Sequence, residues 1–77
     1  MKFTNYFKYT RLREDRKDIK AEWIKQVYDQ PEKEEIQSDG RIRRRAKIKE
    51  VDKYLRIIIL EDKETIHNAF FDRSFKK

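Results

Sequence analysis

The apolar positions change period once along this chain, and the change divides it. Ile19, Trp23, Ile24, Val27 and Tyr28 recur at i, i+4, i+5, i+8 and i+9, with Lys20, Glu22, Lys25 and Gln26 between them. That is one apolar stripe on a helix with a polar opposite side. Pro31 ends it, because the residue before a proline is pushed out of the helical region. The spacing predicts a helix over residues 18–29. Beyond Pro31 the period falls to two. Residues 34–37 read as a short strand, and Ser38-Asp39-Gly40 as a turn in which Gly40 is free to take positive φ. In residues 41–49, Ile42, Arg44, Ala46 and Ile48 share one face, and Arg41, Arg43, Arg45, Lys47 and Lys49 share the other. Residues 50–53 turn the chain. Residues 54–60 form a run rich in Ile and Leu that suits a central strand. Residues 61–64 make another turn, and Thr65–Phe71 a last strand. The opening stretch, with Phe3, Tyr6, Phe7 and Tyr9, fits helical spacing and strand spacing equally.

A helical region followed by strands on short connections implies an α+β fold, with the N-terminal helical region packed on a small antiparallel sheet of about four strands. The 77 residues suffice for one domain with a thin core, and residues 1–77 are read as that single domain. Charged residues reach 47%, a share that permits disorder, but the apolar residues are Ile, Phe, Tyr and Leu, the types disordered chains lack.

Residue types exclude several chemistries. No cysteine removes disulfides and thiolate metal sites, and a single histidine removes a histidine-rich metal site, so no metal and no cofactor is expected. One glycine cannot build a phosphate-cradling loop. No apolar run approaches membrane-spanning length, so the expectation is a soluble, cytoplasmic protein with no membrane partner.

Charge then locates a candidate surface. The formal net charge is +6, and residues 41–60 alone hold eight basic and two acidic side chains. Arg41, Arg43, Arg45, Lys47 and Lys49 project from one strand face about every 6 to 7 Å, twice the strand rise. That is near the phosphate spacing of a single nucleic-acid strand, and Arg forks onto phosphate oxygens. The bland alternative is a solvated edge protected by charge. His67 is the one side chain whose ordinary pKa lies near neutrality, and it suits a general acid or base in RNA cleavage. Its alternative is a structural histidine held by a carboxylate such as Asp72. Arg56 and Arg44 sit among apolar neighbours and need an anion, supplied by a ligand or by Asp15, Glu22 or Asp72. A hairpin through residues 61–64 brings His67 and Arg56 within about two residues on adjacent strands, with Arg73 beyond Arg56. Tyr54 is then the candidate acid. Tyr6, Tyr9, Tyr54 and Phe75 are candidates for base stacking.

Asp39-Gly40-Arg41-Ile42-Arg43, Tyr54-Leu55-Arg56-Ile57-Ile58 and the run from Thr65 to Arg73 resemble a set of small bacterial domain-of-unknown-function proteins placed near the BrnT and RelE/ParE toxins, within the barnase–colicin–RelE-like nuclease fold. The resemblance spans about Tyr6 to Phe75. It departs from many relatives at Arg45, where an aromatic is common, and at Glu14, where a proline is common. What it implies is a toxin-like endoribonuclease of a toxin–antitoxin pair that cuts RNA without metal, with RNA, on or off the ribosome, as substrate and a small acidic antitoxin as partner. Carried over by position, the implied residues are Arg41, Arg43, Arg56, His67 and Arg73. The alternatives are a non-catalytic module that grips nucleic acid or the ribosome, and a small protein-interaction domain.

Overall fold

A computed structural model of the chain describes residues 2–10 and 19–72. The elements run β1 (Lys2–Phe3), α1 (Asn5–Thr10), α2 (Ala21–Asp29), β2 (Lys33–Ile36), β3 (Ile42–Ile48), β4 (Lys53–Ile59) and β5 (Thr65–Phe71). The five strands form one sheet in the order β1-β5-β4-β3-β2. The pairs from β2 to β5 are antiparallel, as their short connections require, and β1 adds to β5 in parallel. The α+β expectation therefore stands, while the sheet has a fifth strand and is mixed. The ambiguous opening stretch resolves into both readings at once: two residues of strand, then a helix.

Helix α2 matches the apolar stripe and ends at Asp29, two residues before Pro31; Asp18, where the stripe predicts a start, lies outside the described residues. Trp23, Ile24 and Val27 enter the core together with Ile19. The facing side of the sheet is read from the register. Ile42, Ala46 and Ile48 of β3, Leu55, Ile57 and Ile59 of β4, and Ile66 and Ala69 of β5 form that surface. Phe7 of α1 joins it and stacks on Phe3 of β1, with ring centroids 5.1 Å apart. The Trp23 indole donates to Glu50 Oε2 at 2.9 Å and tilts against Phe71. Phe70 belongs to the other face, opposite Arg56.

The turns follow from their residues. Gly40 adopts φ of +90°, and a Cβ there would meet Glu61 Cγ at 2.8 Å, so both conformation and space call for glycine. In the β4–β5 turn Asp62 accepts from the backbone N–H of Glu64 and Thr65, and from the Thr65 hydroxyl at 2.5 Å. Those donors hold the Asp62 carboxyl down to about 2. The turn also bonds helix α2, since the Tyr28 hydroxyl donates to the Lys63 carbonyl at 2.7 Å.

The core places Trp23 under the sheet, so Trp23→Ala removes both an apolar contact and an anchored N–H. The expected cost is about 3 to 5 kcal/mol, as for other large-to-small aromatic deletions. For a domain of this size that is a large share of its stability, which is about 4 to 12 kcal/mol at typical per-residue values. Thermal or urea unfolding of the variant checks it; a cooperative transition near the wild-type midpoint would place the core elsewhere.

Candidate functional site

The strand face away from the buried core carries the charged residues. The register sets Arg43 opposite Ile58, Arg45 opposite Arg56, and Lys47 opposite Tyr54. On the next strand Asn68 and Phe70 continue the first two rows. Two arginines directly opposite each other on neighbouring strands repel. Asp72, just past β5, resolves this. Its Oδ2 accepts from Arg45 Nη1 at 3.1 Å and also from Arg56 Nη2. The Asp72 side chain is 4% exposed and that of Arg45 9%. Of the anions the sequence offers Arg56, Asp72 is the one supplied among the described residues, and Asp15 lies outside them.

Carboxylates also meet Arg41, Arg43 and Lys47 of the stripe. Arg45 Nη2 donates to Glu35 Oε1 at 2.7 Å, and Arg43 Nη2 lies 3.7 Å from Glu35 Oε2. Lys47 pairs with Asp52 at 2.8 Å, and Arg41 lies 3.7 Å from Asp39. Lys49 is exposed on the β3–β4 turn. The stripe is therefore not a bare row of cations, because acids arrive from β2, from turns and from the end of β5. Arg44 lies on the other face. It donates to Glu34 at 2.8 Å and to the Tyr28 carbonyl at 2.7 Å, where the last turn of α2 leaves acceptors free.

His67 belongs to a different neighbourhood. The β4–β5 ladder pairs Ile58 with Asn68 and Ile59 with Ile66, so His67 is the inserted residue of a β-bulge. A bulge breaks alternation and re-aims a side chain. Strict alternation groups His67 with Ala69 and Phe71, whose side chains join or pack on the core; the bulge takes His67 out of that set. Its Nδ1 lies 3.2 Å from Thr4 Oγ1, and its ring stacks on Tyr6 with centroids 4.8 Å apart and planes at 21°. Thr4 is also the cap of α1, where its Oγ1 accepts from the Phe7 N–H at 3.0 Å. Partial burial lowers the His67 pKa from its ordinary value, and the charge of Arg41 lowers it further.

The structure therefore separates residues that the sequence groups. His67 is opposite the Ile58–Ile59 end of β4, with Thr4 and Tyr6 against it and the charge of Arg41 acting on it. Arg56 is opposite Phe70 and bound to Asp72, and Tyr54 lies further on, opposite Lys47. Asp72 serves the arginines in place of holding His67. Arg73 and Phe75 lie outside the described residues. Thr4 carried no signal in the sequence. Tyr6 did, as an aromatic near the N-terminus, but nothing short of the β1–β5 pairing places it on His67. Among the described residues no group of three His, Asp or Glu side chains is arranged to hold a metal ion, and no helix is long and apolar enough to cross a membrane. No protein-family model, curated protein or solved structure matches this chain.

Two outcomes follow. Asp72→Asn leaves two guanidinium groups facing each other with their shared charge removed, at an expected cost of about 3 to 5 kcal/mol, the range for breaking a buried pair on one side. Asp52→Asn, at a solvated pair, should cost little. Urea unfolding of both separates them, and equal losses would contradict the role given to Asp72. The second outcome concerns pH. A folded imidazole with a lowered pKa binds its proton less well than the unfolded chain does. Its contribution to stability is complete above the ordinary value of about 6.5 and declines as pH falls through the interval down to the folded value. An NMR titration of His67 should give a midpoint below the ordinary value, moving up in Arg41→Gln; a midpoint at or above it would contradict the neighbourhood described.

Proposed function

We propose that this protein is a toxin-like endoribonuclease that cuts single-stranded RNA without a metal ion, with His67 at its reaction centre. The observation that carries this reading is the His67 cluster: an imidazole whose pKa is lowered by burial and by the charge of Arg41, fixed through Nδ1 by Thr4, and stacked on a half-exposed tyrosine. In the tautomer with hydrogen on Nδ1, the Thr4 oxygen accepts from both Phe7 N–H and His67. Nε2 then carries the lone pair a general base needs.

The reaction fits those parts. Nε2 takes the proton of a ribose 2′-hydroxyl, and the oxygen attacks the adjacent phosphorus. The bond from phosphorus to the 5′-oxygen breaks, leaving a 2′,3′-cyclic phosphate. The departing oxygen takes a proton from Tyr6, the phenol next to the imidazole. Arg41 offsets the negative charge that grows on the phosphoryl oxygens. Tyr6 thus takes the acid role that sequence reasoning gave to Tyr54, and Arg41 replaces Arg56 beside the histidine.

A second reading, a small protein-interaction domain, is favoured by one feature. Ile36, on the outermost strand β2, is 71% exposed, and an unpaired strand edge with an apolar side chain is a docking site for another chain. A small acidic antitoxin protein is the partner this reading shares with the first.

The test is cleavage of a single-stranded RNA in EDTA. Wild type should release fragments ending in 2′,3′-cyclic phosphate, and His67→Ala should lower the rate about 10²- to 10⁴-fold, the usual contribution of a positioned acid or base. Nitrogen NMR shifts should place the His67 hydrogen on Nδ1. Wild-type protein that folds, binds RNA and leaves it intact would point to a binding module; one that ignores RNA altogether would leave the protein-interaction reading.

A further inference from the structure

The cationic face holds an arrangement that the His67 chemistry does not use. Arg43, Arg45 and Arg56 project from neighbouring positions of β3 and β4, and two carboxylates hold them. The two carboxylates differ. Asp72 is enclosed, with 4% of its side chain exposed, and joins Arg45 to Arg56. Glu35 comes from the outer strand β2 and is 39% exposed. It spans Arg43 and Arg45, one oxygen toward each guanidinium, at 3.7 and 2.7 Å. Among the described residues these three cations meet two carboxylates. The Nε atoms of Arg43 and Arg56 are buried and have no hydrogen-bond partner. A buried N–H donor without an acceptor is costly.

We propose that Arg43 and Arg45 form a phosphate-binding site, and that Glu35 occupies it as an internal stand-in which a phosphate group displaces. A carboxylate bridging two guanidinium groups through separate oxygens does what a phosphate does, with fewer oxygens and less charge. A phosphate supplies further acceptors, which the buried Arg43 Nε lacks, and a second charge. Glu35 is the more accessible of the two carboxylates and, among the described residues, β2 has a paired neighbour on one side only. Asp72 stays, since its removal would strand the buried Arg45 guanidinium and the partly buried one of Arg56. The ligand is a phosphate ester or a free phosphate. Where it is the backbone of RNA, this site rests on the endoribonuclease reading and sets where the strand lies beyond the cut.

The experiment follows the arginine Nε–Hε resonances by NMR while inorganic pyrophosphate, and separately a single-stranded RNA oligonucleotide, is added to the full chain. Arg43 and Arg45 should shift in both titrations. Glu35→Gln should tighten pyrophosphate binding about three- to tenfold, the worth of a solvated ion pair removed as competitor. Arg43→Gln should abolish the Arg45 shift. Glu34→Gln, whose pair with Arg44 lies on the opposite face, should change nothing, which separates release of the site from loosening of β2. Unchanged or weaker binding in Glu35→Gln overturns the proposal. If that variant does not fold, the wild-type titration decides, since Arg43 and Arg45 resonances that ignore pyrophosphate overturn it equally. A pyrophosphate response with no RNA cleavage keeps the site and removes the endoribonuclease reading. Cleavage that depends on His67 and is indifferent to Glu35 does the reverse.

Discussion

The sheet depends on a carboxylate placed between two arginines. Arg45 and Arg56 are direct cross-strand neighbours, and Arg45 is almost enclosed. Without an anion their repulsion would act where water screens it poorly. Asp72 supplies that anion from the end of β5, and its N–H continues the ladder by donating to the Tyr54 carbonyl at 2.8 Å. One residue thus ties three adjacent strands by charge while closing the last backbone pairing. This makes room for a composition that is nearly half charged. The sheet adheres on one face through Ile, Leu and Trp packed with the helices, and on the other through ion pairs that cross from strand to strand.

The same arrangement reshapes the electrostatics. A sequence stripe of cations becomes a surface where most cations hold a carboxylate. The cations are gathered at particular places: around Arg43 and Arg45, where a half-buried glutamate bridges them, and at Arg41, whose charge acts on His67. A polyanion would meet sites where it exchanges with internal carboxylates, which is a more selective contact than a bare cationic strip. The buried Asp72 pair supports the strands, and the more accessible Glu35 pair is the one proposed to exchange.

The His67 neighbourhood is built from the two ends of the described chain. Thr4 and His67 are 63 positions apart, and the parallel pairing of β1 with β5 brings them together. Thr4 performs two tasks with one oxygen, ending the backbone run into α1 and fixing the imidazole. Tyr6 rides on the first turn of that short helix. The cluster therefore exists only while β1 and α1 are docked, and a two-residue strand with a six-residue helix has little intrinsic stability of its own. Whatever chemistry His67 performs is coupled to the docking of that segment.

Helix α2 and the strands β2 to β5 could be read from period and turn residues, each within a few positions. Their signals are local: an apolar stripe at helical spacing, alternation of Arg and Ile, a glycine where φ is positive. The resemblance noted in the sequence leaned on the same local runs. The opening stretch could not be read, because its state is set by pairing with β5 and packing on it, not by its own residues. The candidate site was legible in part. Arg41, Arg43, Arg45, Arg56 and His67 stood out by type, and Asp72 was among the anions weighed. Their grouping was not legible. The partners of the arginines lie 10, 16 and 27 positions away, on strands whose register only the folded sheet fixes. His67 left its alternation set through one inserted residue, and a bulge has no periodic signature. Residue types determined which chemistry was available; register, a bulge and an edge strand decided which of those groups meet, because side-chain contacts in a sheet run across strands and not along them.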